Sequence, residues 1–79
     1  MVMYRVVDYV KRPEFRKWEG AIVEDVATGK RYITNGFFLW EATKSKLAKL
    51  KIVDNIDINA FMVRWNSKFF RGNIELKGV

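Results

Sequence analysis

The chain has 79 residues, no cysteine and no histidine, and 15 Lys plus Arg against nine Asp plus Glu, for a net charge of +6. A chain this short has room for one hydrophobic core, and its residue inventory excludes disulfide staples, thiolate metal sites and histidine-based acid–base catalysis. No run nears the roughly 18 apolar residues that cross a bilayer, so the expectation is a single soluble domain over residues 1–79, cytoplasmic, or in the host cytoplasm if viral.

Val2 to Val10 is rich in Val and Tyr and reads as a strand, with Val2, Tyr4, Val6 and Val10 on one face and Met3, Val7 and Tyr9 making the other partly apolar. A strand apolar on both sides is either central in its sheet or covered by a second subunit, which raises a homodimer. Lys11-Arg12-Pro13 ends it, because proline supplies no ladder donor. Phe15 to Val26 reads as a second strand, with Gly20 marking a bulge or a close backbone approach. Asp25 to Lys30 is a hairpin turn with Gly29 at the position of positive φ, Arg31 to Thr34 returns as a third strand, and Asn35-Gly36 turns the chain again.

From Phe38 to about Leu50 the apolar period shifts towards 3.6. Leu39, Trp40, Thr43, Leu47 and Leu50 share one arc of a helical wheel, bordered by Lys44 and Lys51 on one side and Lys46 and Lys49 on the other. Ile56 to Phe70 supports two readings. Ile58, Phe61, Met62, Trp65 and Phe69 recur at helical spacing behind Asp57 as N-cap, while the flanks of Asn66-Ser67 would also fit a hairpin; the periodicity favours the helix. Gly72 or Asn73 closes that element, and Ile74 to Lys77 is a short last strand expected beside the first or second. The predicted fold class is α+β: a small single domain with a three- to four-stranded antiparallel sheet, built from the N-terminal strands plus a short C-terminal strand and packed by one or two helices.

The positive charge is unevenly placed. Residues 1–36 carry seven basic and five acidic side chains, residues 37–53 four and one, and residues 64–79 four and one. Two basic blocks in the C-terminal half therefore hold most of the excess, which suits an acidic partner such as nucleic acid, an anionic membrane or an acidic protein.

Arg64 to Arg71 interleaves three cations with Trp65, Phe69 and Phe70. As a helix, it sends Trp65 and Phe69 to the core and leaves Arg64, Lys68 and Arg71 outside to meet phosphates. As a hairpin, it frees Trp65 or Phe70 to stack on bases. Lys44, Lys46, Lys49 and Lys51 form the second candidate phosphate contact, against the plainer reading of a solvated helix face. Lys11, Arg12, Arg16 and Lys17 form a basic loop in which Glu14 and Glu19 dilute the charge, so a solvated loop is the favoured reading there.

Catalytic patterns are weak. Thr28-Gly29-Lys30 lacks the glycine that would complete a phosphate-binding loop, and Glu75-Leu76-Lys77 has only the E-x-K form of some metal-dependent nucleases, with Asp54 or Asp57 needed as a further ligand. Ser45 and Ser67 have no activating partner in the sequence. The expectation is a non-enzymatic, nucleic-acid-binding protein, on DNA or RNA, that contacts phosphates with little base specificity and uses no cofactor or metal. The alternative is a protein-interaction module docking an acidic partner, such as a viral or phage accessory or inhibitor protein.

Overall fold

The computed structural model describes residues 2–67 and 73–77. In chain order it contains β1 (Met3–Lys11), β2 (Glu19–Asp25), β3 (Arg31–Thr34), β4 (Leu39–Glu41), α1 (Lys44–Leu47), β5 (Lys51–Ile52), α2 (Ile58–Trp65) and β6 (Asn73–Glu75). The class is α+β, with one six-stranded sheet in the order β4-β3-β2-β1-β5 and β6 also on β1. All pairings are antiparallel except that of β6, which runs parallel to β1.

β1 is central. One edge pairs with β2 along most of its length; the other is shared, with Met3 to Arg5 taken by β6 and Val10 and Lys11 by β5. The ladder to β2 slips between Val6 and Asp8, where one extra residue in β1 forms a bulge. That slip corrects the expected face of β1. Val6 stands opposite Val23 and Tyr9 opposite Ala21 in one core cluster, while Val10, opposite Gly20, lies on the other face. A straight strand of period two would have kept Val6 and Val10 together.

The turns follow from local chemistry. In the β2–β3 hairpin, Asp25 Oδ1 accepts from Ala27 N at 2.9 Å, Gly29 N donates to Asp25 O at 2.7 Å, and Gly29 takes φ +74°. Asn35 Oδ1 accepts from Phe37 N and Phe38 N at 2.9 and 3.0 Å, which, with Gly36 at φ +94°, closes a second reversal. Gly20 serves a close approach rather than a bulge: a Cβ there would strike the Thr34 carbonyl. The second strand is shorter than expected, because the turns Phe15 N to Arg12 O and Trp18 N to Phe15 O, both 3.1 Å, occupy the segment before Glu19.

The larger correction concerns Phe38 to Leu50. Its first part is β4, paired with β3 through Trp40 opposite Ile33, and helix forms only over Lys44–Leu47, behind Thr43 as N-cap. The Asn35-Gly36 reversal directs the chain back along β3, where ladder hydrogen bonds and a cross-strand contact for Trp40 outweigh a helical periodicity of moderate propensity.

α2 is the helix expected in the Ile56–Phe70 segment, and the hairpin alternative for residues 58–65 falls away. Asp57 caps it, accepting from Ala60 N at 3.0 Å. Phe61 and Trp65 are buried against Val6, Tyr9, Ala21, Val23 and Ile56, with Ile58 and Met62 packed alongside, while Val63 on the outer face is 74% exposed. Tyr4 meets the Trp65 ring edge-to-face at 5.5 Å and the Tyr32 ring at 6.3 Å. Phe69 and Gly72, assigned by sequence to the core and to the helix end, lie outside the described residues.

Candidate nucleic-acid interface

The sheet face opposite α2 holds a cleft of about 290 Å³. Ile33, 4% exposed, lies at its base, and Trp18, Trp40 and Leu50 supply the apolar walls. Arg12, Lys46 and Lys49 complete the lining, with no acidic side chain among them. Each contributor arrives by a separate route. Arg12 follows the end of β1, Trp18 leads into β2, Trp40 is carried by β4, and Lys46 to Leu50 come from α1 and the residues after it.

The aromatic surface continues beyond the cleft. Phe38, two residues before Trp40 and just ahead of β4, has its ring centroid 5.8 Å from that of Trp40 at an interplanar angle of 38°. Phe38 is 61% exposed and Trp40 36%. Arg12 is held over the Phe15 ring, its guanidinium carbon 4.5 Å from the centroid, and its Nη2 lies 3.6 Å from Glu14 Oε1. Its Nε has no hydrogen-bond partner among the described residues. The side chain is thus fixed in direction, with that Nε buried from solvent and its Nη2 turned towards Glu14.

Among the described residues, the cations differ in whether an acid neutralises them. At the hairpin end Arg5 and Arg31 both reach Glu24, at 2.7 and 3.5 Å, and Lys30 reaches Glu41 at 3.3 Å. Lys77 pairs with Asp8 at 2.9 Å. The hydrogen bond from Arg5 holds the Glu24 carboxyl below its ordinary pKa, and hydrogen bonds to Glu41 and Asp8 raise Lys30 and Lys77. By contrast, Lys44, Lys46, Lys49 and Lys51 make no ion pair among the described residues. Lys46 and Lys49 carry their charge outward, whereas Arg12 shares its own with Glu14 at 3.6 Å, the longest ion pair among the described residues.

This arrangement sorts the residues predicted from sequence. Lys46 and Lys49 meet at the cleft, joined by Arg12 from the basic loop. Lys44 is exposed on α1 outside the lining, and Lys51 stands in β5 opposite Lys11, on the face that strand alternation sets away from Val10. Arg64 does not join them: its Nε donates to Asn35 O at 2.9 Å, tying α2 to the Asn35-Gly36 reversal. Trp65 is 1% exposed, so the core position given by the helical reading holds and the stacking role of the hairpin alternative does not. Lys68, Phe70 and Arg71 lie outside the described residues.

Trp18, Trp40 and Phe38 are the aromatic residues that sequence reasoning missed as a site. The available signal was the alternation of Phe38 and Trp40 directly after a strong turn, which is the pattern of a strand. The E-x-K candidate does not assemble. Lys77 is engaged by Asp8, Glu75 stands in the ladder opposite Arg5, and no group of three or more acidic, His or Cys side chains able to hold a metal forms among the described residues. Nor is any helix among those residues long and apolar enough to cross a membrane. Comparison with protein-family models, curated proteins and solved structures returns no match for this chain.

Proposed function

We propose that the protein is a non-enzymatic nucleic-acid-binding protein, with Arg12, Lys46 and Lys49 as its central phosphate contacts. The observation that carries this reading is the cleft itself: three cations and two tryptophans converge on one side of the sheet without an acid in the lining. Cations release counterions when they meet phosphates, and tryptophan faces accept bases, so the pairing serves polyanions that carry aromatic groups better than simple anions.

Binding of labelled DNA or RNA, followed by fluorescence anisotropy as salt is raised, tests it. Neutralising about three phosphates gives a slope of log affinity on log salt of about −2 for a single strand and about −3 for a duplex. The double variant Lys46→Gln/Lys49→Gln should lower the magnitude of that slope by about 1.4 to 1.8. Absence of salt-dependent binding to either form would overturn the reading.

A second reading, a module that docks an acidic protein, draws on a different observation. Ile52 and Val63 are 63% and 74% exposed, giving apolar surface besides the cations. Ile52→Ser and Val63→Ser should then weaken capture of an acidic partner while leaving DNA or RNA affinity unchanged. Val6, Tyr9 and Val10 of β1 are buried within one chain, so a homodimer is not needed to cover them, while Val2 and Met3 are each 43% exposed.

A further inference from the structure

We propose that the cleft selects single-stranded nucleic acid over duplex by stacking an unpaired base on Trp40, in a manner tolerant of sequence; this rests on the nucleic-acid reading above. In a duplex the base faces are closed within the stack, and only phosphates, sugars and groove edges meet a protein. Exposed tryptophan faces gain little from such a surface. In a single strand the faces are open, and each can lie on an aromatic side chain.

Three features carry the choice. First, the aromatic surface is accessible and extended: Trp40 of the edge strand β4 and Trp18 line the cleft, and Phe38, just ahead of β4, packs against Trp40 with ring centroids 5.8 Å apart. Leaving such rings in water is unfavourable for folding alone, while the α2 side of the sheet buries its aromatics. Second, the space is small. About 290 Å³ is at the lower end of pockets that hold small ligands, which suits a single planar base and not a double helix. Third, the cations sit beside the aromatic walls rather than apart from them, so phosphates flanking a stacked base fall within reach of Arg12, Lys46 and Lys49.

Tolerance of sequence follows from the same lining. Arginine, lysine and tryptophan side chains donate hydrogen bonds and accept none, and the remaining walls, Ile33 and Leu50, are apolar. A side-chain set without acceptors cannot read the exocyclic amino groups of adenine or cytosine. With Arg12, Lys46 and Lys49 taken up by the flanking phosphates rather than by base acceptors, stacking and charge, both available from every nucleotide, remain.

The experiment compares three labelled probes of equal length at one salt concentration: an oligothymidylate, a mixed-sequence duplex, and a strand of abasic sites with the same phosphate spacing. Each is titrated with the wild type, Trp40→Ala and Phe38→Ala, the last altering a side chain that is mostly exposed. The oligothymidylate should bind the wild type roughly tenfold or more tighter than the abasic strand, the scale of one stacked base. Trp40→Ala should remove most of that advantage, and Phe38→Ala part of it, with affinity for the duplex unchanged. Equal binding of the three probes, or full oligothymidylate affinity in both variants, would overturn the stacking proposal while leaving phosphate binding in place. Failure of all three probes to bind would overturn both.

Discussion

The two faces of the sheet use the same kinds of residue to opposite ends. On one face, α2 brings its own Phe61 and Trp65 down onto the sheet, where Trp65 meets Tyr4, and packing removes both α2 rings from water. On the other, Trp18, Trp40 and Phe38 meet no second long helix; α1 is a single turn, and it contributes lysine to the rim rather than a cover. Three tryptophans that are equal in composition thus become one core residue and two walls of an open cleft. Aromatic content in a small domain is no evidence of function until topology shows which rings the fold has consumed.

Substitution of the tryptophans should give the largest contrast. Trp65→Ala removes a fully buried ring and should cost about 3–5 kcal/mol, enough to unfold much of a small domain, whereas Trp40→Ala, at a ring 36% exposed, should cost about 1–2 kcal/mol. Urea denaturation of both variants measures the difference, and equal losses would break the distinction between the faces. Gly20→Ala comes next. The new methyl group would meet the Thr34 carbonyl, a backbone atom that yields only with the β2–β3 ladder, so a loss of about 1–3 kcal/mol is expected.

Asp57→Ala sharpens the comparison from the helix side. Loss of the N-cap bond to Ala60 should cost about 1 kcal/mol in thermal or urea unfolding, with oligonucleotide affinity unchanged, because α2 lies across the sheet from the cleft. A matching loss of affinity would show that the two faces are coupled.

The smallest effect concerns pH. Glu24 is held below its ordinary pKa by Arg5 and Arg31, so its ion pairs stabilise the fold above the unfolded glutamate value, about 4.3, and this stabilisation disappears as pH falls through the lowered folded value. Unfolding of the wild type and Glu24→Gln across a pH series should therefore show a stability difference near neutrality that closes in acid. A difference that persists in acid would assign the effect to packing.

What the sequence disclosed was chiefly local. The Asp25–Gly29 and Asn35–Gly36 turns, the Asp57 cap and the burial of Phe61 and Trp65 depend on residues near one another in the chain, and all were legible. The bulge in β1 was not, because it is a property of pairing with β2 rather than of β1. Nor was β4: Leu39, Trp40, Leu47 and Leu50 satisfy a helical wheel, and only the partnership with β3 turns the first two into a strand. That single misreading hid the site, since a helical Trp40 belongs to a buried stripe and a β-strand Trp40 belongs to the cleft. In the basic loop the expected dilution is visible as the Arg12–Glu14 ion pair. Arg12 is nonetheless the member of that loop that the fold carries to the aromatic walls.

The most direct test of the account uses the three tryptophans as their own reporters. In a ¹⁵N-labelled sample titrated with oligothymidylate, the indole N–H signals of Trp18 and Trp40 should shift progressively with ligand, while that of the buried Trp65 stays in place. Unchanged Trp18 and Trp40 signals at saturating oligonucleotide, or a response confined to Trp65, would contradict the assignment of the open face to nucleic acid.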